Sequence, residues 1–339
     1  MTSPLRPEGV RYLASAGEKW RAFWFTKEPA YTLGIVRIAF GALMVYVTID
    51  LLPSLTQLFG ESGPVPSQPT TEFHWIYPYT YGIFQVWTSD TALYVGWAIL
   101  LLSAVALLVG WHSRLAAVLV WIVFLSFVRR NPSVFNYGDH VISITALILM
   151  LSACGAALSL DQRRRSGRFW SAECRSRWPV RLMQLQLSLI YFFSAQSKLR
   201  GDEWNEGSAV SFPWRTYHDW AILPAPQWLA ESAVLVNAVT WGTLVLEFAL
   251  AILVWNPRLR YWLLAAGVVL HVMIWLNLSV TFFSLAMFVL YLSWAPWQTV
   301  RHLPDGVRGL RRRWRGGSKP PGASGSVGNS VDISTERSA

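Results

Sequence analysis

Charge is scarce in this chain. Only 14% of its 339 residues are Asp, Glu, Lys or Arg, whereas 53% are hydrophobic. A soluble domain carries about a quarter charged residues, so an ordinary soluble enzyme is excluded at the outset. Cysteine is almost absent. Cys154 and Cys174 cannot build a disulfide framework, and neither sits in a CxxC or zinc-type spacing. None of the six histidines forms an HxxH, HxxxH or ExxH pair, so a metal site would have to be assembled from separate helices. GxGxxG, the P-loop spacing and GxSxG are all missing, which removes the nucleotide-binding and serine-hydrolase fingerprints. Lys and Arg are missing from the whole of residues 53–90.

What the chain does hold is apolar runs and tryptophan. Eight runs are long enough to be read as membrane spans, at about residues 30–52, 91–110, 114–128, 138–159, 180–198, 233–255, 261–278 and 279–297. The third is short. The last two nearly touch, so a tight turn near Asn277 or a re-entrant pair keeps the count between seven and nine. Twenty tryptophans suit a protein with two membrane–water interfaces. With an inside N-terminus, the inner segments hold 23 Lys and Arg, the outer segments hold 5, and Arg37 lies within the first run. The expected fold is therefore all-α, a polytopic integral membrane bundle of about eight helices with both termini cytoplasmic, in a bacterial cytoplasmic membrane. The net charge of +10 then faces anionic lipid, and membrane lipids rather than nucleic acid are the expected partners.

Three regions follow. Residues 1–29 form a cytoplasmic segment whose stretch Trp20 to Lys27 reads as an interfacial helix. Residues 30–297 form the transmembrane domain. Residues 298–339 form a basic tail, Gly-, Ser- and Pro-rich from residue 316 and expected to be disordered. No cleavable leader is read in the first 29 residues. The aromatic stretch from His74 to Trp87 is expected to lie on the outer surface above spans four and five.

Ionisable groups inside a bilayer are costly and therefore informative. Lys198 closes the fifth run, and Gln184, Ser188, Tyr191 and Ala195 recur behind it at helical spacing, a polar seam along one face. The lysine either snorkels to water or turns inward toward Asn136, Asp139 and His140 at the start of the fourth run. Asp139 reads as a helix cap or as a site carboxylate. Glu247, deep in the sixth run, must be neutral or partnered, with His271 in the seventh as one candidate partner. Arg37 reads as structural.

The segment Tyr191-Phe192-Phe193-Ser194-Ala195-Gln196-Ser197-Lys198-Leu199, followed by Trp204 and Gly207, resembles the Y-x-x-x-G-x-x-K-L, W-x-x-G segment of the HTTM family, which includes the vitamin K-dependent gamma-glutamyl carboxylases. Asn131 to Asp161, closing on Leu158-Ser159-Leu160-Asp161, and His271 to Trp297, with Phe283-Ser284 and Met287-Phe288, resemble two further family segments. In carboxylases of this family the lysine corresponding to Lys198 deprotonates a quinol. The resemblance thus implies Lys198 as a base, and Tyr191, His140 and Asp139 are the candidate catalytic residues expected beside it. Asn136, His271 and Glu247 are the residues expected to hold a quinone or other lipid-soluble small molecule. Ala195 and Ser197 depart from the residues expected beside a carboxylase lysine, and the tail is short where a carboxylase has a large lumenal domain. The resemblance therefore implies the membrane module rather than the carboxylation reaction. A membrane enzyme, a non-catalytic accessory, export or toxin-resistance protein, and a proton-coupled transporter all remain open.

Overall fold

The computed structural model describes residues 7–63, 82–131, 133–134, 136–216 and 218–304. The expectations for His74 to Tyr81 and for residues 305–339 fall outside them. The chain divides into two compact units, residues 1–300 and 301–339. The described part of the first is all-α apart from one two-stranded ladder and an isolated bridge between Ala157 and Ala172. Its main helices are α1 (Pro7–Phe25), α2 (Tyr31–Leu51), α3 (Asp90–Val109), α4 (Ser113–Arg130), α5 (Tyr137–Leu151), α6 (Leu160–Ser166), α7 (Trp178–Lys198), α8 (Ala233–Ile252), α9 (Arg260–Leu278) and α10 (Thr281–Tyr291). Among the described residues four stretches, Tyr31–Phe59, Asp90–Val109, Ala233–Trp255 and Arg260–Leu278, are long and apolar enough to cross a membrane. Helix α4 carries Arg114, Arg129 and Arg130, and α7 carries Arg181, three glutamines and Lys198, which lowers the hydropathy of both.

Two expected spans are corrected. The run 138–159 is helical only to Leu151. Ser152 is extended, a 3-10 turn covers Cys154–Ala156, and Leu158 takes a positive φ of 50° while its N–H pairs with the Ser171 carbonyl. The final run begins at Thr281, after Ser279 turns the chain in the left-handed region, and its α-helix ends at Tyr291. At 1.5 Å per residue its 11 residues reach about 16 Å, half the thickness of a hydrocarbon core. Helix α10 is instead the buried centre of the bundle, packed against α2, α5, α7 and α9. At the N-terminus the expected short helix over Trp20 to Lys27 is the last part of a longer one: α1 starts at Pro7 and ends at Phe25, with Trp20 and Phe25 exposed.

Backbone contact sets the tightest packing. A Cβ on Gly41 would lie 2.6 Å from the Leu108 backbone, so α2 and α3 meet main chain to main chain. Beside this contact Arg37 is fully buried. Its guanidinium donates to the Leu107 carbonyl, to Leu108 O at 3.0 Å and to Leu158 O at 2.5 Å. It thereby covers carbonyls that the end of α3 leaves open, where Gly110 takes a φ of 75°.

The connections sort to two ends. At one end, strand β1 (Lys27–Pro29) pairs with β2 (Cys174–Ser176), and the Thr32 hydroxyl donates to Ala295 O at 2.9 Å. Asp161 there accepts the N–H groups of His112 and Ser113 at 2.9 and 2.8 Å and the Ser113 hydroxyl at 2.7 Å. This is the end that holds Arg163, Arg164 and Arg165. At the other, Asn131 donates to Leu58 O at 2.7 Å and Gln85 to Arg129 O at 3.0 Å, while Phe84 is buried against Phe127.

The Asp161 contacts carry a pH prediction. Partial burial raises its pKa, but the bonds from Ser113 and His112 outweigh this and hold it below its ordinary 3.8. A depressed carboxylate adds stability that is complete above the unfolded value and vanishes as pH falls through the folded one. The melting-temperature gap between the native chain and Asp161→Asn should therefore be constant from pH 7 to 5 and close below about pH 4. A gap that widens on acidification would refute this account.

Candidate functional site

Helix α7 presents two faces. One carries the seam: Gln184, Ser188, Tyr191 and Ala195 are all buried and look into the bundle. The other lies beside α5 and forms one wall of a groove of about 930 Å³, lined along α7 from Trp178 to Lys198 and along α5 from Tyr137 to Leu151. Half of the lining is aliphatic. Apart from Gln186, its polar groups gather at one end, where Ser194, Ser197 and Lys198 face Tyr137 and His140. Ser194 and Lys198, one turn apart, border both the groove and the bundle interior.

Lys198 Nζ donates to Glu247 Oε1 and to Ser194 Oγ, both at 2.6 Å, and Ser194 Oγ lies 3.3 Å from the same carboxylate oxygen. The ion pair is shielded. Glu247 on α8 has a side chain 6% exposed, and that of Lys198 is 23% exposed. Trp204, in the short helix Asp202–Asn205 just beyond α7, lies under the ammonium with its ring centroid 5.2 Å away. One helical turn down α7, the Tyr191 hydroxyl lies 2.8 Å from His271 Nε2 on α9 and makes a short bond to the Tyr291 hydroxyl on α10. Ser284 fixes α10 to α9 by donating to the His271 carbonyl at 2.9 Å. Glu247 Oε2 and His271 Nδ1 are buried and have no hydrogen-bond partner among the described residues.

The expected residues thus separate into two sets. Lys198, Glu247, Tyr191 and His271 converge between α7, α8, α9 and α10. Asn136 and Asp139 do not reach the lysine: the Asn136 N–H donates to Asp139 Oδ2 at 2.7 Å, the Asn136 side chain accepts from Gly138 N–H at 2.7 Å, and the pair is a capping box at the start of α5. His140 alone of that group shares the groove with Lys198. Glu247 is partnered, but by Lys198 and not by His271.

Residues 25–296 match the HTTM domain model. The chain belongs to the HTTM family. Over 204 residues it is 22% identical to the uncharacterized protein YitO of Bacillus subtilis (strain 168), an alignment covering 56% of this chain and 63% of that one. The chain spans less than two thirds of that relative's length, and no solved structure matches it. Within this HTTM domain, sequence reasoning missed Ser194 and Tyr291. Ser194 was findable, because it stands four residues before Lys198 and shares its helix face. Tyr291 was not, since nothing in its spacing from Tyr191 signals that two hydroxyls 100 positions apart will meet.

Proposed function

We propose that this HTTM protein binds a long-chain, lipid-soluble substrate in the α5–α7 groove and uses Lys198 on the substrate's polar head. The groove carries the reading. From Trp178 to Lys198 it runs 20 residues of helix, about 30 Å, which equals the thickness of a hydrocarbon core. Its occupant would therefore extend through both leaflets with its head at Lys198. Glu247 offsets the lysine's charge, which favours a neutral, hydroxyl-bearing head such as a quinol over an anionic one. Deprotonation would begin with Lys198 passing a proton to Glu247 Oε1, 2.6 Å away. The neutral amine would then take the substrate's O–H proton, leaving an oxyanion, an ammonium and a protonated Glu247.

The segregation of Lys and Arg to one end of the bundle supports a bacterial cytoplasmic membrane protein with residues 1–29 and 298–339 cytoplasmic on either side of a 30–297 transmembrane domain, the chain returning through the bundle interior along α10. The head of the groove would then open on the outer side. A second reading, a non-catalytic protein in which Lys198 and Glu247 lock α7 to α8, is favoured by the shortness of that ion pair. It leaves the groove without a role.

Bound lipid decides between them. Mass spectrometry of extracts of the protein purified from its own membrane should show a quinone or other isoprenoid lipid. Ile144→Trp or Leu189→Trp, which fill the groove midway, should reduce its recovery at least tenfold at unchanged melting temperature. Equal recovery from both variants, or only bulk phospholipid from the native chain, would overturn the groove reading.

A further inference from the structure

The interior face of α7 carries a line of polar side chains of which the groove shares only Lys198 and Ser194. Proceeding from the lysine, it contains Lys198, Ser194, Tyr191, Ser188, Gln184 and Arg181, each three or four residues from the last. Seventeen residues of helix put its ends about 26 Å apart, nearly the full hydrocarbon thickness. Every member is met from a neighbouring element. Glu247 takes Lys198 and Ser194; His271 and Tyr291 take Tyr191; Trp255 Nε1 donates to Ser188 Oγ at 2.9 Å. Gln184 donates to Ser293 O and accepts from Arg181, both at 2.8 Å. Arg181 ends the line at the β1–β2 end of the bundle, stacked 4.5 Å over the Phe23 ring.

Packing alone is a poor account of this line. Interhelical hydrogen bonds in membranes contribute little each, less than burying an ionisable group costs. Two buried atoms on it, Glu247 Oε2 and His271 Nδ1, have no hydrogen-bond partner among the described residues. Successive members are one helical turn apart, a step that one side-chain rotation or one bridging water can close. We propose that this seam is a proton path, linking the Lys198–Glu247 pair to the end of the bundle that carries Cys174. The titratable groups facing the pair are Tyr191 on α7, His271 on α9, Tyr291 on α10 and, across the groove, His140 on α5. Arg177, Arg181, Arg260 and Glu28 stand at the far mouth. Burial lifts the Glu28 carboxyl above its usual range, against the pull of Arg177 and Arg181, which suits a group that collects protons at that mouth.

The consequence is that the lysine takes its protonation from one side of the membrane, whatever the groove holds. Sealed vesicles containing the full chain test this, with pH set independently on each side. An impermeant maleimide at Cys174, the exposed cysteine of β2, identifies the side on which the seam ends. A short pulse of membrane-permeant fluorodinitrobenzene, read at Lys198 by peptide mass spectrometry, reports the neutral amine. Labelling should change severalfold per pH unit on the Cys174 side and by less than twofold on the other. Ser188→Val and Gln184→Leu should each blunt the first response, while Ile144→Trp should leave it intact and lose only bound lipid. Labelling that follows the opposite side, or both sides equally, in the native chain would overturn the path without bearing on the groove.

Discussion

Arg37→Met is expected to lower the stability of the detergent-solubilised protein by about 3 kcal/mol, a large part of the 5–15 kcal/mol that a folded domain typically has. The guanidinium serves three carbonyls. Of these, Leu107 O keeps a bond from Gly110 N–H at 3.2 Å, whereas the acceptors of the other two Arg37 bonds, Leu108 O and Leu158 O, would each lose one. An unsatisfied buried carbonyl costs about 1–3 kcal/mol, and removing the buried cation returns part of that. Arg37→Lys should fall between the two, because one ammonium cannot span carbonyls from α3 and from the 152–159 connection with the same geometry. Thermal unfolding monitored by tryptophan fluorescence measures both. A methionine variant as stable as the native chain would mean that α3 needs no such cover.

Arg37 also shows where the sequence stops being legible. About seven residues from the inner end of an apolar run, it read as a structural cation within reach of the cytoplasmic interface; it is instead fully buried, and no pattern named carbonyls 70 and 121 residues away. The long helices were readable because apolar length is a direct physical requirement of the bilayer. Their ends were less so. The run from Ser152 to Ser159 is as apolar as a helix, yet Gly155 packs so closely on Ser113 and Asp161 that a Cβ would sit 2.7 Å from the Ser113 hydroxyl, and the chain leaves the helix to make that contact. At the site, residues on one helix were legible through their 3-4 spacing, which foretold the seam on α7. Partners across helices were not. Asp139, not Glu247, was the carboxylate expected near Lys198, but the register of α5, fixed by its own capping box, turns it toward Asn136.

Breaking the Lys198–Glu247 pair from either side should give the other large effect. Removing one partner of a buried ion pair typically costs about 3–5 kcal/mol, because the survivor is left desolvated, whereas replacing both with apolar groups is often near neutral. Lys198→Met should cost more than Glu247→Leu. The glutamate it strands is 6% exposed, while the stranded lysine, 23% exposed beside Trp204, retains Ser194 as an acceptor. The double variant Lys198→Met/Glu247→Leu should recover most of the loss, giving a coupling of at least about 2 kcal/mol in a double-mutant cycle read from denaturant or thermal unfolding. Recovery of the fold separates the two roles of the pair. In the locking role, the double variant retains native groove behaviour, including the bound lipid in its native chemical state. In the base role, it holds the lipid but no longer processes it. Strictly additive single losses would sink both, since each requires that the lysine and the glutamate act on one another.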